Sequence, residues 1–187
     1  MRNPSQEMAT KRNVEAAQTP PRRRPYDCGE FGIRIARDGT WYYEGSPIGR
    51  PALVRLFATV LKRDEEGTYW LETPVEKGRV EVEDAPFTAV ELAVSGSGRD
   101  QVLRFRTNVD EWVVAGPDHP LRVAEDPKTH EPRPYLLVRD SLEALITRSV
   151  YYELVELGAE EGYARKTAFG VWSKGAFFPL SAVSESK

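Results

Sequence analysis

At 187 residues, 40% hydrophobic and 29% charged, the chain has the composition of a globular protein able to bury one sizeable core or two small ones. No run approaches the roughly 18 apolar residues of a membrane span, and the start lacks an apolar signal-peptide block, so a cytoplasmic protein is expected. The net charge of −3 is uneven: six Lys/Arg against Glu7 and Glu15 leave residues 1–25 at +4 and the rest at −7.

The basic start, residues 1–27, reads as a disordered tail. Its Thr-Pro-Pro-Arg-Arg-Arg-Pro block carries no aromatic ring for base stacking, which argues against nucleic acid as a partner. The single cysteine, Cys28, excludes an intramolecular disulfide and any cysteine-only metal site.

From Phe31 the pattern alternates, with Ile33 and Ile35 on one face and Arg34 between them. Asp38-Gly39 then reads as a two-residue type I′ turn, which sets Ile35 against Tyr42 and places Trp41 and Tyr43 on the second face beside Arg34. After Gly-Ser-Pro at 45–47, Pro51 suits the first turn of a helix. Leu53, Leu56, Phe57, Val60 and Leu61 recur at helical spacing and read as core, with Arg-Asp-Glu-Glu-Gly at 63–67 closing the helix. The acids there lack the alternating ligands of a calcium loop. Strands follow around Tyr69–Leu71 and Val80–Val82.

The next hairpin is predicted to pair Val94 with Gln101, Leu92 with Leu103 and Val90 with Phe105, putting Glu91 opposite Arg104. Its Gly-rich loop leads into a strand, so it is no phosphate cradle. Short strands are expected at 112–115 and 121–124, followed by the irregular Pro-rich segment 125–134. Asp140 with Glu143 looks like an N-cap pair, starting a second helix whose stripe runs Leu142, Leu145, Ile146, Val150, Leu154, Leu157. A hairpin about Lys174-Gly175 finishes the chain.

The passages 38–74 and 135–180 follow one plan, so the expected fold is α+β. It comprises two related strand-strand-helix-strand-strand units with mainly antiparallel sheets plus a connecting hairpin, the first unit at 28–84 and the second at 85–187.

No nucleophile elbow, metal motif or phosphate loop is present, and no cofactor is expected. Against that stands a surplus of aromatics and arginines, the composition of a surface that receives a protein, peptide or small ligand. The first hairpin and the 116–135 loops nominate Arg34, Trp41, Tyr43, His119, His130 and Tyr135 as ligand-binding residues, with no catalytic or metal-ligating residue assigned. The competing reading is a metal-dependent or His/carboxylate hydrolase using His119, His130 and the acids between them.

Several ordered phrases carry a family resemblance: Asp38-Gly-Thr-Trp, Gly-Ser-Pro-Ile (45–48), Leu-Val-Arg-Leu-Phe (53–57), Arg-Asp-Glu-Glu-Gly, Val-Glu-Asp-Ala-Pro-Phe (82–87), Thr107-Asn108, Gly-x-x-His-Pro-Leu (116–121) and Pro-Tyr-Leu-Leu-Val-Arg (134–139). Over residues 31–181 the chain resembles a bacterial family catalogued as domain of unknown function 1285. The resemblance implies a two-part α+β fold containing repeats and a suggested role in signal transduction. It implies no catalytic residues.

Overall fold

The computed structural model describes residues 25–163 and 166–180; nearly all of the basic tail lies outside them. The first sheet has the order β3-β2-β1-β6-β5-β4. Its strands are β1 (Tyr26–Ile35), β2 (Trp41–Tyr43), β3 (Ser46–Pro47), β4 (Leu61–Arg63), β5 (Tyr69–Glu72) and β6 (Glu76–Val82), with helix α1 (Pro51–Val60) crossing between β3 and β4. β1 and β6 run parallel in the middle, and every other pair is antiparallel. The first strand therefore begins at Tyr26, inside the segment read as tail.

The first hairpin departs from the predicted register by one residue, and the step inverts its faces. Ile35 pairs with Trp41 and Ile33 with Tyr43. The turn holds three residues, with Gly39 at φ +84 and Ala36 N–H bonded to the Thr40 carbonyl at 2.9 Å. A type I′ turn needs positive φ at both central residues, but Asp38 stays out of that region while its carboxylate accepts the Thr40 N–H at 2.9 Å. The consequence is that Trp41 joins Ile35 in the core, both buried.

α1 ends at Val60, earlier than expected. Leu61 is buried as the first residue of β4, and 64–67 is a hairpin turn in which Asp64 accepts the Thr68 N–H and the Trp70 indole N–H. The acids are thus turn residues and not a helix end.

The second sheet has the order β10-β11-β12-β7-β8-β9, again with one parallel pair, β12 with β7. Its strands are β7 (Phe87–Ser95), β8 (Val102–Thr107), β9 (Trp112–Val114), β10 (Leu121–Glu125), β11 (Pro132–Arg139) and β12 (Leu142–Ile146). β7 and β8 pair two residues away from the predicted register, Val94 with Leu103 and Leu92 with Phe105. A 3-10 turn at Gly98–Asp100 takes residues into the loop, and the even step keeps the apolar faces matched. Glu91 consequently bonds Arg106 at 2.6 Å in place of the predicted Arg104.

The second helix also starts later than its sequence pattern suggests. Asp140 and Ser141 both take positive φ, at 41° and 64°, so the primed turn expected at 38–39 is made here, between β11 and β12. Leu142, Ala144 and Ile146 are buried with strand periodicity, and α2 runs only over Arg148–Glu156. A three-stranded sheet follows, β13 (Ala159–Tyr163), β14 (Lys166–Ser173) and β15 (Ala176–Pro179). Its last turn is the expected Lys174-Gly175, with φ 51° and 74°.

The α+β class and the two-part arrangement hold, with mixed sheets. The helix-centred passages nevertheless differ in connectivity: the strands around α1 share one sheet, whereas those after α2 form a sheet of their own. One apolar core joins all three sheets, including Ile35, Trp41, Phe105, Leu136 and Val171. Across the junction Asn108 donates to the Gly39 carbonyl at 3.0 Å and accepts the Thr88 N–H at 3.0 Å. A side chain on Gly39 would meet the Asn108 amide nitrogen at 2.7 Å, so glycine serves both the turn and this contact.

Candidate functional site: an apolar cleft beneath α1

A six-stranded sheet is about 25 Å wide and a helix with its side chains only about 10 Å across, so one short helix leaves part of the sheet bare. Ala58 is the sole fully buried residue of α1. Leu53, Phe57 and Val60 form one wall of a cleft of about 640 Å3, with Phe31, Ile33 and Leu71 of the sheet opposite. Its size is typical of small-molecule sites, and apolar lining is their usual character. Phe57 stacks on Trp41 with centroids 6.4 Å apart, which ties this wall to the core. Phe31 lies flat over Gly78, where a Cβ would come within 2.5 Å of the ring, so a glycine in β6 helps shape the floor.

Polar groups sit at the margin. Tyr43, Ser46 and Arg50 lie toward the β3 edge, and Thr73 and Glu76 toward the β5 and β6 side. Cys28 is near Glu76, its Sγ 3.8 Å from a carboxylate oxygen, and its thiol is pushed up by desolvation and then by that carboxylate. A thiol held in its protonated form is a poor nucleophile.

A second, smaller cleft of about 340 Å3 lies where the first hairpin meets the Pro-rich loop and α2, among Arg37, Asp126, Arg133, Arg148 and Tyr152. Beside it is a part-buried polar network. Asp84 accepts the Tyr135 hydroxyl at 2.8 Å and pairs with Arg133, which also reaches Asp126 at 3.3 Å. Arg122 lies 4.1 Å over the Tyr135 ring and forks onto Glu143 at 2.6 and 2.5 Å.

Burial, then the hydrogen bond to Asp84, pushes the Tyr135 phenol up to about 12 from its ordinary 10.0. The folded chain keeps this proton where the unfolded chain has released it. The resulting stabilisation is complete below about pH 10 and is lost as pH rises to about 12, by roughly 1.4 kcal/mol per pH unit. Tyr135→Phe removes this contribution, so its stability deficit relative to the parent is expected to narrow across that window in urea titrations. A constant deficit from pH 9 to 12 would contradict the assignment.

The six residues nominated from sequence do not form one surface. Tyr43, half exposed, is the only one in the apolar cleft. Trp41 is core and not a contact residue, because of the one-residue register change. Arg34 pairs with Glu83 and covers the Tyr42 ring at 4.3 Å, and Tyr135 belongs to the part-buried network. His119 Nδ1 lies 3.2 Å from the Leu137 carbonyl in a turn, whereas His130 is exposed beside Glu125. The two histidines flank opposite ends of β10, a strand about 13 Å long, so they share no carboxylate. No group of three His, Cys, Asp or Glu among the described residues is placed to hold a metal.

Many aromatics read as surplus are partnered. Trp70 lies under Lys77 at 4.2 Å, Trp112 under Arg104 at 5.2 Å, and Trp172 packs on Phe177 at 5.3 Å. Of the cleft residues, Leu53, Phe57 and Val60 have the spacing of a core stripe, so sequence alone does not separate them from sealed core, and Phe31 shares the alternation of Ile33 and Ile35.

These features define a two-part α+β protein with a ligand-sized apolar cleft in its first sheet. The chain belongs to the DUF1285 family: the N-terminal domain of unknown function matches residues 21–85 and the C-terminal one residues 86–180. The phrases that carried the resemblance fall within these matches. The chain is similar to the crystal structure of a DUF1285 family protein from Silicibacter pomeroyi DSS-3. Identity is 53% over 83% of this chain and 82% of that one, with a TM-score of 0.78. A second similar structure, a DUF1285 family protein from Shewanella baltica OS155, is 27% identical over 67% of this chain and 91% of that one, with a TM-score of 0.52. No curated protein matches. No helix among the described residues is long and apolar enough to cross a membrane.

Proposed function

We propose that this protein is a ligand-binding regulatory module of the cytoplasm, with the cleft beneath α1 receiving a small apolar molecule. The observation that carries this reading is the cleft itself: about 640 Å3 between Leu53, Phe57 and Val60 on one side and Phe31, Ile33 and Leu71 on the other. Apolar surface of this extent gains by leaving water, at about 25 cal/mol per Å2. A signalling role follows if occupancy alters α1, which touches the core through Ala58 and the Phe57–Trp41 contact and the second sheet through Arg139, whose guanidinium donates to the Ala58 carbonyl at 2.7 Å.

The test is a titration with N-phenyl-1-naphthylamine, a neutral apolar fluorophore. The parent chain is expected to give a saturable single-site enhancement, and Val60→Trp, which narrows the cleft, to weaken it at least about tenfold, the equivalent of about 1.4 kcal/mol. Unsaturable fluorescence, or equal binding by a Val60→Trp variant with parent-like circular dichroism, would refute the reading.

A further inference from the structure

We propose that the ligand of this cleft is an elongated apolar monocarboxylate whose carboxylate is held by Arg50 at the start of α1. The inference rests on the reading of the cleft as a ligand site and adds the ligand's chemistry. Three features of the margin carry it.

Arg50 lines the cleft, is exposed, and has no ion pair, side-chain hydrogen bond or ring contact among the described residues. Among the other arginines of the first unit, Arg34 pairs with Glu83, Arg55 with Asp110, Arg79 with Glu30, and Arg63 covers Tyr69 at 5.3 Å, while Arg37, whose side chain likewise has no ion pair, hydrogen bond or ring contact among the described residues, lines the second cleft and not this one. A guanidinium beside an apolar cleft, unused by the protein, complements a planar carboxylate through two parallel hydrogen bonds.

The start of α1 adds to that preference. Arg50 is the N-cap residue, makes no side-chain cap, and is followed by proline with no acidic residue in the first turn. No carboxylate of the first turn therefore offsets the positive end of the helix dipole.

Glu76 supplies the selectivity. It stands on β6, three strand spacings from β3, or about 14 Å, so it lies across the cleft from the β3 edge that leads to Arg50. Within the cleft it neither neutralises Arg50 nor accepts a second anion, and a dicarboxylate long enough to span would meet like charge there. The floor, Phe31 and Ile33 on β1 and Leu71 on β5, offers no charged side chain and suits a hydrocarbon chain.

The test is calorimetry of the full chain with decanoate, decan-1-ol, decylammonium and decanedioate below their aggregation concentrations. Decanoate is expected to bind about tenfold or more tighter than decanol, given the strength of charge-assisted hydrogen bonds, with decylammonium and decanedioate weaker than decanoate. Arg50→Gln is expected to bring decanoate to the affinity of decanol and to leave decanol unchanged. Equal affinities for decanoate and decanol in the parent, or an Arg50→Gln variant that keeps the preference, overturn the carboxylate inference while the apolar site stands. Absence of binding by both overturns the site as well.

Discussion

Trp41→Ala is expected to cost about 4 kcal/mol of unfolding free energy, within the range for truncating a large buried aromatic, and to lower Tm by roughly 10 °C. The indole is 2% exposed, stands opposite Ile35 in the β1–β2 pair, and stacks on Phe57. Its truncation opens a cavity against a core that reaches both large sheets. An exposed contact residue would behave otherwise, since surface substitutions usually stay within about 0.5 kcal/mol. Thermal unfolding of Trp41→Ala alongside Tyr43→Ala separates the two cases, because Tyr43 is 51% exposed. Comparable small effects for both would restore Trp41 to the surface and contradict the observed register. The Trp41 indole N–H is also the single buried side-chain polar atom without a partner among the described residues. Trp41→Phe should therefore cost well under the alanine value, because it removes an unpaired donor along with some volume.

Asp84→Ala is expected to be nearly as severe, at about 3 kcal/mol, because it breaks a largely buried ion pair from one side. The Asp84 and Arg133 side chains are 11% and 18% exposed, and Tyr135 loses its hydroxyl acceptor in the same step. Asp126 remains near Arg133 at 3.3 Å and offsets part of the loss. The control is Lys62→Ala, whose partner Glu72 lies in a pair with side chains 56% and 31% exposed and whose removal should cost less than about 1 kcal/mol. Chemical denaturation of both variants checks the ranking. An Asp84→Ala protein as stable as Lys62→Ala would mean the network is held by Arg133 and Asp126 without it.

Local signals in the chain decide its structure where a single geometry satisfies them. Lys174-Gly175 makes its turn, Pro51 opens α1, and Leu92 and Val94 keep their apolar partners although the pairing moves by two, whereas Val90 falls at a bulge and is exposed. Elsewhere two geometries satisfy one pattern. Residues 142–146 fit a helix stripe through Leu142, Leu145 and Ile146 as well as a strand face through Leu142, Ala144 and Ile146, and the Asp140-Ser141 turn accompanies the strand. Asp38-Gly39 serves a two- or three-residue turn, and the extra residue carries Trp41 from one face to the other. The cleft is a tertiary property. It follows from how much of six strands a ten-residue helix covers, and nothing in the spacing of Leu53, Phe57 and Val60 separates a cleft wall from a sealed core. A hint did exist in Arg50, a cation before a helix whose first turn holds no acid.

The measurement that tests the central claim most directly is a two-dimensional amide NMR titration of the full chain with decanoate. Binding beneath α1 predicts shifts that saturate together and centre on Ile33, Ile48, Leu53, Phe57 and Leu71, with 147–152 at the second cleft unmoved. Shifts centred on 147–152, or none at any residue of the first sheet, would contradict it.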